Sequence, residues 1–574
     1  MNNSRPNQRD RSGIKHPSRY RFNLRVSCTV LLLCLAPLMR SQTNSSPAPQ
    51  NQATTATIPT NSAALSYPAL VDITGSTGIE FEHQSSPEQK FIVESMSGGV
   101  ALIDYDRDGW PDIYFTNAPT VGMALQGNKA RSALFHNNHD GTFTDMAEKA
   151  GVALGTWSTS PTFGDYDGDG RLDLFVPGYT RYDFNDPPAV GSKSVVSNTC
   201  QYRGVSVFCG PRGLKGEHDH LFHNNGDGTF TDVSAKAGVA DAPGYYGLVS
   251  LFADLNGDGK PELLVANDST PNYLYRNNGD GTFEDMSFES GYAVNRDGRE
   301  TASMGIAVGD YRNNGQLDIL NTTFSDDYKV LYRNNGDLDF TDVSYDVGIA
   351  TVTIPFLSWG DGFLDYDNDG WKDIFIASGH VYPQVDKQDW GTSLAERPLL
   401  FRNIRGEKFD LVPPVKGSGL ANVISARGAA FGDLFNDGKI DVVMNNIDAQ
   451  PTLLKNVDED QHHWIELKLI GGPKSPRDAV GAAVFLSTGK MKQRGDVLSG
   501  GSFASSNDPR VHFGIGDAIT VDVLEIHWPS GAQERVSVPA VDRIYTIEEG
   551  KGIIGELCLI CASKNPRPAA ASVR

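Results

Sequence analysis

No stretch of this 574-residue chain is apolar for long enough to cross a membrane; the longest run, Val26 to Met39, falls short of the ~20 residues a spanning helix needs. Positive charge is also scarce, with 50 Lys and Arg against 71 Asp and Glu. The net charge of −21 understates the shortage, because residues 1–40 hold eight basic side chains against Asp10 alone and leave −28 for the remainder. So acidic a surface repels nucleic acid and anionic membranes and favours cations. Signatures of common catalytic chemistry are missing too: there is no Gly-x-Ser-x-Gly elbow, phosphate-binding glycine loop, zinc-protease helix or basic-aromatic patch.

Cysteine is sparse, at six residues. No His follows Cys558-Leu-Ile-Cys561, which argues against covalent haem attachment; the pair reads as a stray one in a tail, with a metal or redox role as the alternative. Cys28 and Cys34 fall in a basic-then-apolar start (1–40) of the kind that directs secretion. No clean Ala-x-Ala follows, so cleavage, an uncleaved anchor, a mis-assigned start and lipidation at Cys34 stay open. The chain is expected to be exported, with no membrane span once mature. Cys200 and Cys209 flank a short loop, and in an exported chain they read as a disulfide. Residues 41–66 are rich in Ser, Thr, Pro and Asn without an apolar period, as a disordered linker is.

What is abundant is one repeated phrase, a strand entering an acidic, glycine-containing loop and leaving as another strand. The loops begin at Asp104, Asp165, Asp254, Asp310, Asp365 and Asp433, at intervals of 61, 89, 56, 55 and 68 residues. Between them recurs a second phrase, such as Leu221-Phe-His-Asn-Asn-Gly-Asp-Gly-Thr-Phe-Thr-Asp-Val233, whose Asp-Gly signals a hairpin. Each unit then holds about four short strands, the content of one propeller blade. Six loops predict an all-β, six-bladed propeller over 67–458; the extra length at 174–220 reads as an insertion, with a seventh blade as the alternative. The last unit lacks its final strand, and residues 70–79 at the front can supply it and remove an open edge. From 459 to 550 a different alternation of short strands and Gly-rich turns predicts a separate β-sandwich, followed by a flexible tail over 551–574.

The loops offer oxygens at positions 1, 3, 5 and 9, with glycine at 6 for the sharp turn, as a hard cation such as Ca²⁺ requires. Loop one supplies Asp104, Asp106, Asp108 and Asp112; loop two Asp165, Asp167, Asp169 and Asp173; loop three Asp254, Asn256, Asp258 and Glu262; loop five Asp365, Asp367, Asp369 and Asp373. Carboxylates so close repel one another unless a cation intervenes, so these four loops are expected to bind calcium as a structural ion. Loop four carries Arg312 at position 3, where the guanidinium can replace the cation. Loop six carries Phe435 there, so its affinity should fall or vanish.

The Phe163-Gly164-Asp165, Val308-Gly309-Asp310 and Phe431-Gly432-Asp433 lead-ins resemble the FG-GAP/VCBS repeats of integrin-α-like propellers. Gly501-Ser-Phe-Ala-Ser-Ser-Asn507, Val511-His-Phe-Gly-Ile-Gly516 and Glu525-Ile-His-Trp-Pro-Ser-Gly531 resemble the ASPIC/UnbV domain. Over residues 67–550 the chain is similar to the cartilage-acidic-protein-like family. That resemblance implies an exported calcium-binding propeller used for adhesion or recognition, and supplies no catalytic residue.

Other constellations are weaker. His218, Asp219, His220 and His223 could ligate a transition metal, but His223 sits where His136 and Arg276 recur in the repeat, which favours a structural role. His380, near Tyr382 and Asp386, is the best candidate for a ligand contact or general acid, with Arg299, Glu300 and Glu94 as further ionisable groups. Arg494-Gly495-Asp496 spells an integrin-ligand tripeptide that chance explains better. The expected function is recognition of a protein or carbohydrate ligand; the rival is a secreted polysaccharide lyase or hydrolase acting at the propeller's central face, and the third option is a purely structural envelope component.

Overall fold

The computed structural model describes residues 70–83 and, apart from gaps that are chiefly 84–99, 104–109, 151–159 and 180–199, residues 100–558. The expected signal and linker, and Asp104, Asp106 and Asp108 of loop one, lie outside the described residues.

The repeat region is all-β and forms six antiparallel four-stranded sheets. Their leading strands are Val100–Ile103, Thr162–Gly164, Gly247–Ala253, Gly305–Gly309, Ser358–Leu364 and Ala426–Gly432, and the sheets are numbered 1 to 6 in that order. Leading strands of sheets 2 to 6 pack one on the next, and that of sheet 1 packs on sheet 6. Sheet 6 has three strands from its own repeat; the fourth is Leu70–Asp72, antiparallel to Thr452–Asn456 with Leu70 opposite Asn456. No seventh four-stranded sheet occurs in the repeat region among the described residues. The insertion between sheets 2 and 3 instead holds a two-stranded hairpin, Cys200–Tyr202 with Val205–Val207.

The repeated glycines have a packing reason. A Cβ on Gly164 of sheet 2 would lie 2.6 Å from the ring of Phe252 in sheet 3, and one on Gly309 of sheet 4 would lie 2.8 Å from the ring of Phe363 in sheet 5. Each glycine is the seat of the next sheet's aromatic ring, which close packing leaves no room to shift.

An Asn near the end of the third strand in five of the sheets, read above at most as part of a hairpin phrase, staples neighbouring sheets together. Asn277 donates its side-chain amide to Tyr166 O in the preceding sheet at 2.8 Å, Asn334 to Leu255 O at 2.9 Å, Asn403 to Tyr311 O at 2.8 Å and Asn456 to Tyr366 O at 2.7 Å. Asn137 of sheet 1 does the same to Leu434 O of sheet 6, at 3.1 Å. All five acceptors lie in acidic loops, so each loop is tied to the following blade. Buried carbonyls that lack a ladder partner are thereby satisfied.

The C-terminal region is a sandwich of two four-stranded sheets. One orders Val511–Gly516, His463–Ile470, Arg543–Glu548 and Gly552–Leu557, and the other Met491–Asp496, Ala483–Thr488, Val523–His527 and Gln533–Arg535. Ile465, Leu467, Val484, Phe513, Ile526 and Tyr545 form its core. Strand Gly552–Leu557 moves the expected boundary, because the tail assigned from residue 551 begins as a paired edge strand of the sandwich. Cys558, just beyond it, is disulfide-bonded, whereas Cys561 lies outside the described residues.

Between Met491–Asp496 and Val511–Gly516 the sandwich sends residues 499–508 into the middle of the six sheets. Thr162 of sheet 2 donates its hydroxyl to Ser499 O at 2.5 Å, and Gly500 bridges Leu251 of sheet 3. Ser502 exchanges backbone bonds with Ile306 of sheet 4 (2.6 and 3.3 Å); its hydroxyl accepts from Asp361 N of sheet 5 at 3.1 Å and donates to Ala429 O of sheet 6 at 2.8 Å. Leu102 N of sheet 1 donates to Ser506 O at 2.9 Å. One ten-residue segment therefore hydrogen-bonds to the leading strand of every sheet, with buried Phe503 at its tip. We call it the plug.

Candidate functional site

The acidic loops connect leading to second strands and share one end of the sheets. In each described loop the position-1 carboxylate accepts hydrogen bonds from the loop's own backbone. Asp165 takes Asp169 N and Gly170 N at 3.0 and 2.8 Å, and Asp365 takes Asp369 N and Gly370 N at 3.1 and 2.8 Å. Position 9 is tied to the adjoining strand, as Asp173 is by Asn224 N at 2.7 Å and Asp373 by Asn403 N at 2.7 Å. These bonds fix the loop and point the carboxylates inward.

In loop two, Asp165, Asp167 and Asp169 bring oxygens within 4.8 Å of one another, and Asp167 and Asp173 do so with His223. In loop five, Asp365, Asp367 and Asp373 form such a group, buried throughout. Both oxygens of Asp367 are buried without a hydrogen-bond donor, although Arg402 stands 2.8 Å away as an ion pair. A buried carboxylate left so bare among two others suits a hard cation. Burial, reinforced by the neighbouring Asp charges, pushes Asp367 up to about 6 and Asp173 up to about 7. Loop three differs. Asp254, Asp258 and Glu262 do not gather within the same span, Asn256 turns its amide nitrogen to Glu262 at 3.2 Å, and burial pushes Glu262 up to about 8. Of loop one, Asp112 is described; it accepts from Asn137 N at 2.7 Å and lies 3.2 Å from His136.

The two departing loops hold internal cations. Arg312 forks onto Asp318 at 2.8 and 3.1 Å and donates to Asn334 O at 2.7 Å, a bidentate pair inside loop four. In loop six Lys455 lies 3.4 Å over the Phe435 ring and 3.3 Å from Asp437. His136, His223, Arg402 and Lys455 occupy the same repeat position and stand at loop carboxylates, whereas Arg276 and Arg333 at that position pair with Glu284 and Asn335.

The sandwich covers this acidic end over sheets 3 to 6. Arg494 donates to Asp254 O at 2.8 Å and Gly315 O at 3.2 Å, and Arg510 to Asp433 O at 2.7 Å. Gly516 N reaches Asn368 O at 2.8 Å, and the ring of Trp464 lies against Gly438 so closely that a Cβ there would be 1.8 Å away. Arg494 and Asp496 are ion-paired at 2.7 Å and 3% and 6% exposed, which withdraws the Arg-Gly-Asp tripeptide from any outside partner. Nothing in the sequence marked Arg494 and Arg510 as loop contacts, because most of their loop partners are main-chain carbonyls, Asn436 Oδ1 excepted.

At the opposite end the hairpin of the insertion leans on sheets 4 and 5. Cys200 is disulfide-bonded, and its expected partner Cys209 lies outside the described residues. Tyr202 donates its hydroxyl to Asp326 at 3.0 Å, and Arg203 bonds Asp326 at 3.1 Å and Trp390 O at 3.2 Å. Here the structure corrects the reading of His380. The ring is fully buried; Nδ1 accepts from Tyr382 N and Nε2 meets the Ser325 hydroxyl, both at 3.0 Å. Burial, aided by the charge of Arg427, lowers it to about 3, so it is a neutral packing group and no general acid. Nor do the other histidines gather: His218 faces Asp241 O, His220 faces Asp232, and His223 belongs to loop two. Arg299 and Glu300 line a cavity of about 290 Å³, while Glu94 lies outside the described residues. No helix among the described residues is long and apolar enough to cross a membrane.

Residues 104–176, 207–265, 254–321 and 365–444 match the FG-GAP-like repeat, and residues 472–554 match ASPIC and UnbV. Cartilage acidic protein 1 of Xenopus tropicalis is 25% identical over 444 residues, covering 75% of this chain and 61% of that protein; the Homo sapiens protein is 25% identical over 443 residues, covering 75% and 60%. The chain thus spans about three fifths of the length of these relatives. Similar solved structures include an Agrocybe aegerita lectin recognising non-reducing terminal N-acetylglucosamine (18% identity, TM-score 0.30, 64% of this chain and 81% of that one). A Trypanosoma rangeli sialidase in complex with the inhibitor DANA is another (11%, TM-score 0.34, 62% and 54%). The chain belongs to the FG-GAP-repeat proteins that end in an ASPIC and UnbV domain.

Proposed function

We propose that the protein is an exported, calcium-stabilised propeller that works as a binding module for a protein or carbohydrate ligand. The observation that carries the calcium part is the buried cluster of Asp365, Asp367 and Asp373, in which Asp367 has no partner beyond its ion pair with Arg402. Asp365, Asp367, Asp369 and Asp373 would hold the ion in loop five, and Asp165, Asp167, Asp169 and Asp173 in loop two. Asp254, Asn256, Asp258 and Glu262 would do so in loop three after their side chains turn inward, and Asp104, Asp106, Asp108 and Asp112 in loop one. The ion's part is structural, cross-linking strands of one blade and stabilising the fold by mass action. Export rests on the basic-then-apolar start.

Recognition fits the way surfaces are divided. The sandwich covers the acidic end and the plug fills the axis, which leaves the opposite end for a ligand. The rival reading, polysaccharide cleavage at the central face, loses ground because Phe503 occupies the axis and His380 is buried and neutral. Thermal melting in calcium and in EDTA tests the metal; an unchanged melting temperature would overturn it. Arrays of proteins and glycans, read beside a polysaccharide turnover screen, test recognition, and turnover without stable binding would favour the enzyme.

A further inference from the structure

The cavity of about 290 Å³ lies at the end of the sheets remote from the acidic loops. It is framed by turns that leave second strands, at Asp268 and Asp327, and by the approach to a leading strand, at Arg299 and Glu300. Arg212, from the insertion, closes one side. It donates to Ser269 O at 2.6 Å and to Glu300 at 2.8 Å, with its side chain 63% exposed at the cavity's rim. Arg299 stands 3.6 Å from Asp327. Asp268 is buried and takes the hydroxyls of Tyr179 at 2.9 Å and Ser269 at 2.8 Å. Tyr382, Phe324 and Trp359 give the cavity apolar walls.

Two guanidiniums and three carboxylates thus line one pocket, and each guanidinium already faces a carboxylate. A charged ligand would have to displace one partner and leave the other unmatched. An uncharged polyhydroxylated ligand carries no such cost. Its hydroxyls accept from Arg212 and Arg299 and donate to Glu300 and Asp327, making charge-assisted bonds without disturbing the balance. Its apolar ring face is buried against Tyr382 and Phe324. The net charge of −21 also opposes an anionic polymer. An exposed ring of ion pairs is commonly no more than a solvated rim, but here it encloses a cavity with aromatic walls and a buried carboxylate.

We propose that this pocket binds the end of a neutral oligosaccharide, with Arg299 and Glu300 as the residues that select it. The proposal rests on the recognition reading above and deepens it. The test uses the full chain in calcium on an array holding neutral glucans, mannans, galactans and chito-oligosaccharides, beside uronic and sulfated glycans and a protein panel. Titration calorimetry then follows on the tightest neutral glycan. The expected result is binding to a neutral glycan that Arg299→Ala and Glu300→Gln each weaken about tenfold or more, at unchanged melting temperature. Neutral-glycan binding that both variants retain overturns the pocket and leaves recognition standing. Binding confined to proteins or anionic glycans overturns the ligand class and again leaves recognition standing. Binding to nothing on the array overturns both.

Discussion

Phe503 of the plug meets Trp359 of sheet 5 edge-on, with ring centroids 4.7 Å apart. Both side chains are buried, and Arg427 lies 4.3 Å from the centre of the Trp359 ring. The sandwich therefore contributes Phe503 to the core of the repeat sheets while keeping its own core around Ile465 and Phe513. Phe503→Ala is expected to cost about 3–5 kcal/mol, as large-to-small changes at packed sites do. Urea unfolding should still show a single transition, at a lower midpoint. A cost below about 1 kcal/mol would mean that the aromatic tip adds little.

The calcium-induced gain in melting temperature is expected to be larger at pH 8 than at pH 5. Burial raises Glu262 to about 8 and Asp173 to about 7 in the metal-free fold, above their unfolded values. Without metal, then, these carboxyls stabilise the fold fully below the unfolded pKa, and that contribution is lost as pH rises through 7 to 8. Calcium takes the ionised form, so at pH 5 it must first displace protons. Melting curves with calcium and with EDTA across that range check this. An equal gain at both ends would show that the loops carry no such protons.

Arg312→Asp should convert loop four into a metal site. Asp318 is buried and depends on that guanidinium, so removing it costs about 3–5 kcal/mol in EDTA. The new carboxylate completes an oxygen set with Asp310, Asn314 and Asp318. Millimolar calcium should restore the stability, and calorimetry should count one more calcium per chain than in the unaltered protein. No added calcium would refute the exchange of one cation for another.

His380 is expected to stay neutral from pH 5 to pH 8, since burial lowers it to about 3. Ring-proton chemical shifts across that range should not move. A midpoint near the ordinary histidine value would restore it as an acid-base candidate.

The repeat made much of the architecture legible. Asp-Gly turns, alternating apolar residues and a last unit short of one strand were enough to place six sheets and the N-terminal strand that pairs with Thr452–Asn456. Arg312 could be read as a cation substitute, because a guanidinium replacing a ligand is visible in one dimension. The Asn staples were not legible, since an Asn in a hairpin phrase already has a sufficient local explanation. Nor was the plug's placement: Ser502, Phe503 and Ser506 lie in the run that carries the ASPIC/UnbV resemblance, but their partners are backbone groups and a Trp359 ring from distant segments, which no local pattern announces. Loop three shows the limit from the other side, for its donor set is complete on paper while Asn256 turns its nitrogen toward Glu262.

The plug also bears on how such a chain can change over generations. Because residues 499–508 touch the leading strand of every sheet, a frameshift or early stop after the last repeat would remove far more than an accessory module. It would leave the leading strands of sheets 1, 3, 4, 5 and 6 with unmatched backbone groups and the Thr162 hydroxyl of sheet 2 without its acceptor. Heredity must therefore pass on the two regions together, and a gene that sheds its last fifth forfeits the whole.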